Sequence, residues 1–160
     1  MSEQKLVFPI AGSSHTMLPV VNKKVFRMGV AGSYGIDSAD IRWAAENGVN
    51  YWVWGRGFGR VTDGIREVIK SDRENHVVGM LGWGYFGWQV RRSVENTLRK
   101  LGTDYLDVFK LGWLGRTSIY SKGIIDTLLK LKQEGRIPVS YTHLTLPTTC
   151  TPCSCRWWAG

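Results

Sequence analysis

The stretch RRSVENTLRKLGTDYLDVFKL, residues 91–111, decides how this chain folds. Four apolar residues recur at steps of four, four and three, which places them on one face of a helix: Val90, Val94, Leu98 and Leu101. Gly102 follows them as a C-terminal stop for that helix. The apolar run Tyr105–Leu111 comes next and has the length of a buried strand. These residues predict an amphipathic helix that leads directly into a strand of an internal sheet.

The same alternation of strand and helix extends over most of the chain. The predicted strands are Val25–Val30, Val49–Trp54, Val77–Leu81 and Tyr105–Leu111. Their spacing is the length of a strand plus a crossover helix, which favours a parallel sheet with helices outside it. Four such units in a row predict an α/β fold, a partial (β/α)8 TIM barrel of about four βα units. Because a complete barrel needs roughly 200 residues or more, we expect residues 1–138 to form the N-terminal half of one.

The three other predicted helices begin at capping residues, which are Asp37 or Ser38, Thr62 or Asp63, and Ser121. Glycines end the first and the last of them, at Gly48 and Gly135. The residues that we expect these helices to bury are Ile41, Ala44 and Ala45 in the first helix, Ile65, Val68 and Ile69 in the second, and Ile124, Ile125, Leu128 and Leu131 in the last.

The composition is that of a soluble globular domain, with 43% hydrophobic and 21% charged residues among 160. The formal net charge of +8 suits either an anionic partner or a solvated basic surface. No basic run is longer than a pair such as Lys23-Lys24, so we expect a solvated surface and neither nucleic acid nor a membrane as partner. The charge-free stretch Val77–Val90 is shorter than the roughly 20 residues of a membrane span. The N-terminus, with Glu3, lacks a signal-peptide pattern, so we expect a cytoplasmic protein.

The composition changes near residue 138. Beyond it lie the members of a candidate zinc site, His143, Cys150, Cys153 and Cys155. The last two cysteines are only two residues apart in a Thr/Pro-rich stretch without an apolar core, so we expect no metal site. The run VSYTHLTLPTT, residues 139–149, resembles a conceptual translation of sequencing-library adapter. We therefore expect residues 139–160 to be an unstructured tail that is not part of the natural protein.

The loops after the strands are the candidate sites, because ligands gather at the carboxyl ends of barrel strands. The loop Gly55–Arg60 could cradle a phosphate or imitate an Arg-Gly RNA-binding segment, but a plain strand-to-helix turn is the simpler interpretation. The loop Gly82–Trp88 is rich in aromatic residues. It predicts a wide mouth that stacks a planar apolar ligand, half-barrel core, or a surface that contacts the other half of a barrel. The residues that we assign to ligand binding are Trp54, Trp83, Tyr85 and Trp113.

Three segments, Gly48–Tyr51, Arg91–Val108 and Leu128–Ile137, resemble the N-terminal half of an aldo-keto reductase. The most specific is the Ser-Val-Glu helix that runs through a boundary glycine into Leu-Gly-Thr-Asp-Tyr-Leu-Asp. The resemblance implies an eight-stranded barrel that transfers a hydride between NADPH and a carbonyl. In that family the catalytic Asp, Tyr, Lys and His lie at the ends of the strands.

The resemblance also locates these four catalytic positions, and all four are changed. The Asp position is Val53, the Tyr position is Phe58, the Lys position is Gly82 and the His position is Gly112. Carbonyl reduction needs a proton donor for the developing alkoxide and a partner that lowers the donor's pKa, and these residues supply neither. The family contacts the cofactor phosphates mostly from its last two strands, which this chain lacks. We therefore expect a pseudoenzyme that does not bind NADP(H) as this fragment.

One ionisable residue, Lys110, could replace the lost group. Because side chains alternate along a strand, Lys110 faces the same side as position 112. Inside a barrel its amine would need an acceptor, for which Tyr51 and Tyr85 are candidates. The alternative is a lysine that reaches solvent.

Three functions remain open at this point. The first is a fragment of an aldo-keto-reductase-like protein whose parent keeps the fold, and a dinucleotide or apolar ligand, without ordinary reductase chemistry. The small-molecule partner expected there is a carbonyl compound or a planar apolar ligand. The second is a redox enzyme with a relocated acid. The third is a non-enzymatic barrel that acts as a ligand-binding or protein-interaction module.

Overall fold

The computed structural model describes residues 14–19, 21–32, 34–111, 122–138 and 140–141. The strands are β1 His15–Leu18, β2 Lys23–Phe26, β3 Val30–Ala31, β4 Tyr51–Gly55, β5 Val77–Gly82, β6 Val108–Leu111 and β7 Ser140–Tyr141. The helices are α1 Ser38–Glu46, α2 Thr62–Ser71, α3 Gly87–Leu101 and α4 Lys122–Gln133, with a 3-10 turn at Gly59–Val61 before α2.

Strands β3 to β7 form one parallel sheet in the order of the chain. A helix follows each of β3, β4, β5 and β6 before the next strand begins. Parallel neighbours require such crossovers, and the helices cover one face of the sheet. The prediction of an α/β fold with a parallel sheet and alternating βα units, as in part of a TIM barrel, is confirmed.

The first predicted strand is divided between two structures. Its first residues belong to β2, which pairs antiparallel with β1 and forms a separate hairpin. The Asn50 side chain joins this hairpin to the sheet, since its Oδ1 accepts from Phe26 N at 2.8 Å. The parallel sheet begins only at Val30, opposite Trp52. A single apolar run therefore contained the end of one sheet and the start of another.

Helix α3 forms as its apolar spacing predicts. The four residues Val90, Val94, Leu98 and Leu101 are all buried. Gly102 ends the helix with φ of +66°, a left-handed conformation that glycine adopts without steric cost. Helix α1 begins at Asp37, whose side chain accepts from two backbone amides of the first turn. The predicted cap Ser121 lies outside the described residues.

The sheet has two chemically different faces. Residues paired across parallel strands carry their side chains on the same side, and successive residues alternate. The face that packs on the helices carries Trp52, Trp54, Val78, Met80 and Phe109. The opposite face, which we call the inward face, carries Tyr51, Val53, Leu81, Val108 and Lys110. In a closed barrel this second face lines the interior.

A buried carboxylate, Asp107, fixes the start of β6. Its side chain is 2% exposed and lies 2.8 Å from the Lys23 Nζ of the hairpin and 2.8 Å from the Arg73 Nη2 after α2. It also accepts a hydrogen bond of 2.8 Å from Val78 N in β5. The hairpin, the residue after α2 and β5 thus meet on one carboxylate, whose charge is balanced by two cations and whose oxygens accept hydrogen bonds.

The sheet extends beyond the predicted domain boundary at residue 138. In β7, Ser140 pairs with Phe109 and Tyr141 pairs with Lys110. The rest of the predicted tail, with the three cysteines and His143, lies outside the described residues.

We expect Asp107→Asn to destabilise the fold by about 3 to 5 kcal/mol, because Lys23 and Arg73 would remain largely buried without a counter-charge. The matched control is Asp63→Asn, whose ion pair with Arg66 involves a carboxylate that is 71% exposed. That control should cost less than about 1 kcal/mol. Urea unfolding measures both, and equal losses would contradict the anchoring role of Asp107.

A second prediction concerns the tail. We expect chains truncated after Pro138 and after Tyr141 to unfold at the same temperature as the 160-residue chain, because a two-residue edge strand adds few contacts. Thermal unfolding followed by circular dichroism measures this. A fall of more than about 3 °C, or roughly 1 kcal/mol in a chain of this size, would contradict the prediction. If only the shorter chain is affected, β7 is the stabilising part.

Candidate ligand site at the carboxyl ends of the strands

Val53 and Phe58 lie where the resemblance places a catalytic acid and a proton donor. Val53 is half-buried on the inward face and pairs with Gly79 of β5. The Phe58 ring covers the end of β4, since a Cβ atom on Gly55 would lie 3.3 Å from it. Neither side chain can exchange a proton with a substrate.

The direction of a side chain at position 82 differs from that expected of a lysine pointing into the barrel. A Cβ atom at this residue would lie 2.7 Å from the Phe109 ring and 3.6 Å from Met80, both on the helix-packed face. The adjacent residue Leu81 is the inward one and pairs with Lys110. Any side chain at position 82 would therefore enter the core between sheet and helices. The fourth position, Gly112, lies outside the described residues.

Lys110 lies on the inward face and is exposed to solvent. Its row of the sheet contains Gly55, Leu81 and Tyr141. The predicted neighbour Tyr51 is four residues away from that row along β4, or about 13 Å. The hydroxyl of Tyr51 instead lies 3.6 Å from a Cβ position on Gly79. The proposed grouping of Lys110 with Tyr51 is thus not formed.

The pKa of Tyr51 is raised, first by burial of the ring and second by the negative charge of Asp107. Both effects disfavour the phenolate. Tyr51 therefore stays a neutral hydroxyl around neutral pH, and it lies at the amino-terminal end of β4, away from the strand ends where barrel enzymes carry out their chemistry.

The aromatic residues assigned to ligand binding do come together, but in a different place. Trp54, Trp83 and Tyr85 line one open cavity of about 600 Å³, together with Trp88. The cavity lies between the loop after β5 and one flank of α3, on the helix-packed side of the sheet. Trp54 is only 5% exposed. The remaining predicted residue, Trp113, lies outside the described residues.

The position of Trp54 corrects the prediction of a mouth over the barrel axis. Its indole Nε1 donates to Thr62 Oγ1 at 3.1 Å, which holds the ring against the start of α2. Trp54 alternates with Val53 along β4, so only one of the two can face inward. The aromatic cavity, which contains Trp54, and Val53 are therefore on opposite faces of the sheet.

Three cations line the same cavity and were not recognised as a group from the sequence: Arg56, Arg92 and Lys100. The Lys100 Nζ lies 5.6 Å from the centre of the Trp54 ring, within range of a cation–π interaction. A detectable signal was present, since positions 88, 92, 96 and 100 of α3 recur at steps of four and form one row beside the buried face. These positions hold Trp, Arg, Asn and Lys.

The loop Gly55–Arg60 forms a strand-to-helix turn. Phe58 N donates to Gly55 O at 3.0 Å, and Gly57 adopts φ of +100° before the 3-10 turn begins. The loop thus has the conformation of the simpler interpretation given above, a plain strand-to-helix turn. Of the loop's residues only Arg56 reaches the aromatic cavity.

None of the helices among the described residues is long and apolar enough to cross a bilayer. No group of three or more His, Cys, Asp or Glu in the same ranges could hold a metal ion.

The fold matches solved structures from several bacteria. A protein of Pseudomonas aeruginosa assigned to the aldo-keto reductases superposes with a TM-score of 0.65 at 22% identity, covering 79% of this chain and 58% of that one. The chain has the fold of part of an aldo-keto reductase barrel. The Klebsiella pneumoniae aldo/keto reductase in complex with NADP and acetate matches with a TM-score of 0.60 at 22% identity, over 74% of this chain and 46% of that one. The holo form of a Bacillus halodurans aldo-keto reductase superposes with a TM-score of 0.64 at 21% identity, covering 79% of this chain and 49% of that one.

The chain spans about half the length of these aldo-keto reductases. At such identities the likeness establishes the fold alone. The sequence matches no protein-family model and no curated protein.

The orientation of Gly82 can be tested with two glycine substitutions. Gly82→Ala should destabilise the fold by about 1 to 3 kcal/mol, because its methyl group would meet the buried Phe109 ring. Gly59→Ala is the control, since a Cβ atom there meets nothing within 4 Å, and it should change stability by less than about 0.5 kcal/mol. Urea unfolding of both variants measures the difference. A neutral Gly82→Ala would mean that position 82 faces the barrel interior.

Proposed function

We propose that the chain is part of a cytoplasmic aldo-keto-reductase-like barrel that no longer reduces carbonyls. The observation that carries this proposal is the pair Val53 and Phe58 at the end of β4. One is an alkyl group on the inward face, and the other is a phenyl ring against Gly55. An alkoxide that develops beside them would receive no proton and no electrostatic stabilisation.

The described residues also do not fit a dinucleotide cofactor. On the inward face, near the carboxyl ends of the described strands, the one charged side chain is Lys110, and it is exposed. A dinucleotide needs several donors that converge on its phosphates as well as an apolar wall for its nicotinamide. We therefore propose that this chain does not bind NADP(H), although the Klebsiella pneumoniae relative does.

The alternative proposal is a non-enzymatic barrel that acts as a ligand-binding or protein-interaction module. The aromatic cavity favours the ligand-binding form, because Tyr85 and Trp88 expose flat apolar surface beside polar groups. The redox-enzyme hypothesis needs a relocated acid, for which Lys110 is the candidate. Its exposure to solvent and its distance from Tyr51 do not support that role.

The proposal that the barrel does not reduce carbonyls predicts no NADPH consumption above background when the folded 160-residue chain is mixed with 4-nitrobenzaldehyde. The loss of NADPH absorbance measures the rate, with an active aldo-keto reductase as the positive control. Val53→Asp alone and Phe58→Tyr alone should also remain silent, because members of a catalytic unit act non-additively. Turnover by the unmodified chain would overturn the proposal. If that turnover were then lost in Lys110→Met, Lys110 would be identified as the relocated acid.

A further inference from the structure

We infer that the cavity between α3 and the loop after β5 binds a planar aromatic anion, such as an aromatic carboxylate, sulfonate or phosphate. This inference rests on the ligand-binding alternative above and names the chemical class of its ligand. It does not involve Val53, Phe58 or Gly82, none of which lines the cavity.

The aromatic part of the cavity is an existing stacking surface. Trp54 forms its floor and is held in place by the hydrogen bond to Thr62. Tyr85 and Trp88 lie at the rim with exposed fractions of 83% and 63%. Their rings present flat apolar surface to solvent, and flat rings bind other flat rings well. The surface therefore suits a planar ligand.

The charged part of the cavity has a single sign. Of the twelve residues that line it, Arg56, Arg92 and Lys100 are basic, and none is acidic. Within the described part of the chain, these three cations form no ion pair with a carboxylate. The first turn of α3 adds partial positive charge at the same end, since Gln89 also lines the cavity. An anion thus gains several attractive interactions and meets no nearby repulsion.

The arrangement of the two parts sets the shape of the ligand. Trp88 and Arg92 are one turn apart on α3, so their Cβ atoms lie about 6 Å from each other and both side chains line the cavity. Lys100 is eight residues beyond Arg92, or about 12 Å along the helix. A bicyclic aromatic ring on Trp88 would place a ring-bound acidic group within reach of Arg92. Asn96, between the two cations, offers a neutral donor to the same group.

This chemistry distinguishes an anion from a neutral or cationic ring system. A neutral ring would use the stacking surface alone, whereas an anionic ring also forms charge-assisted hydrogen bonds. A cationic ring would be repelled by three like charges.

Binding of three matched probes to the full chain tests the inference by isothermal titration calorimetry. The probes are 2-naphthalenesulfonate, 2-naphthalenemethanol and 2-naphthylmethylammonium, which share a ring and differ in charge. We expect the sulfonate to bind at least about tenfold more tightly than the alcohol, and the ammonium to bind most weakly. Raising the salt concentration should weaken only the sulfonate.

Two pairs of variants locate the binding. Arg92→Glu should weaken sulfonate binding by about tenfold or more, whereas Arg99→Glu, also exposed on α3 but outside the cavity, should not. Trp88→Leu should weaken the sulfonate and the alcohol, whereas Trp43→Leu, on the exposed side of α1, should weaken neither. Arg56→Glu provides a second charge reversal outside the helix if Arg92→Glu does not fold.

The outcomes separate this inference from the proposals on which it rests. Equal binding of sulfonate and alcohol, lost in Trp88→Leu, would overturn the anionic ligand and leave the ligand-binding module in place. Absence of binding by all three probes at millimolar concentration, or binding unaffected by Trp88→Leu and both charge reversals, would overturn the site itself. None of these results bears on carbonyl reduction, which the NADPH assay tests separately.

Discussion

The Asp107 carboxylate is the interaction on which the described structure depends, because it connects segments that are far apart in the sequence. It joins the hairpin through Lys23, the end of α2 through Arg73, and β5 through Val78 N. A buried charge of this kind is tolerated only while every partner is present. It lies at the amino-terminal side of the sheet, the side of a barrel that serves stability rather than chemistry. The opposite ends of the strands could therefore change without loss of the fold.

Elements with strong periodicity could be predicted from the sequence. The spacing of α3 fixed its buried face, because four apolar residues at helical steps admit no competing arrangement. The run Val25–Val30 was different, since an apolar stretch of six residues suits an antiparallel ribbon as well as a barrel strand. The two are distinguished by the pairing of β2 with β1 and of β3 with β4, and long-range pairing of this kind has no local signal.

The candidate site could be predicted in part, for a reason that lies in the alternation of strand side chains. The sequence indicates that the aromatic residues cluster. The face of the sheet on which they lie depends on the strand register, because a shift of one residue moves a side chain to the opposite face. Gly82 and Leu81 are neighbours on opposite faces, and a motif comparison assigns the lysine position without that information. The cation group as a whole could not be predicted, because Arg56 and Arg92 are far apart in the sequence and come together only in the folded chain, where both line the aromatic cavity.

The parallel sheet is unevenly paired, and this affects how it loosens. The ladder between β4 and β5 joins five residue pairs, whereas β3 and β7 are each held by two. Local opening draws on the weakest ladders first, so the two edges should fray and exchange their amide hydrogens while the centre stays closed. The loops after β4 and β5 and the flank of α3 adjoin that centre. The aromatic cavity is thus attached to the segment of the protein that opens last, which lowers the entropy that a bound ligand would have to remove.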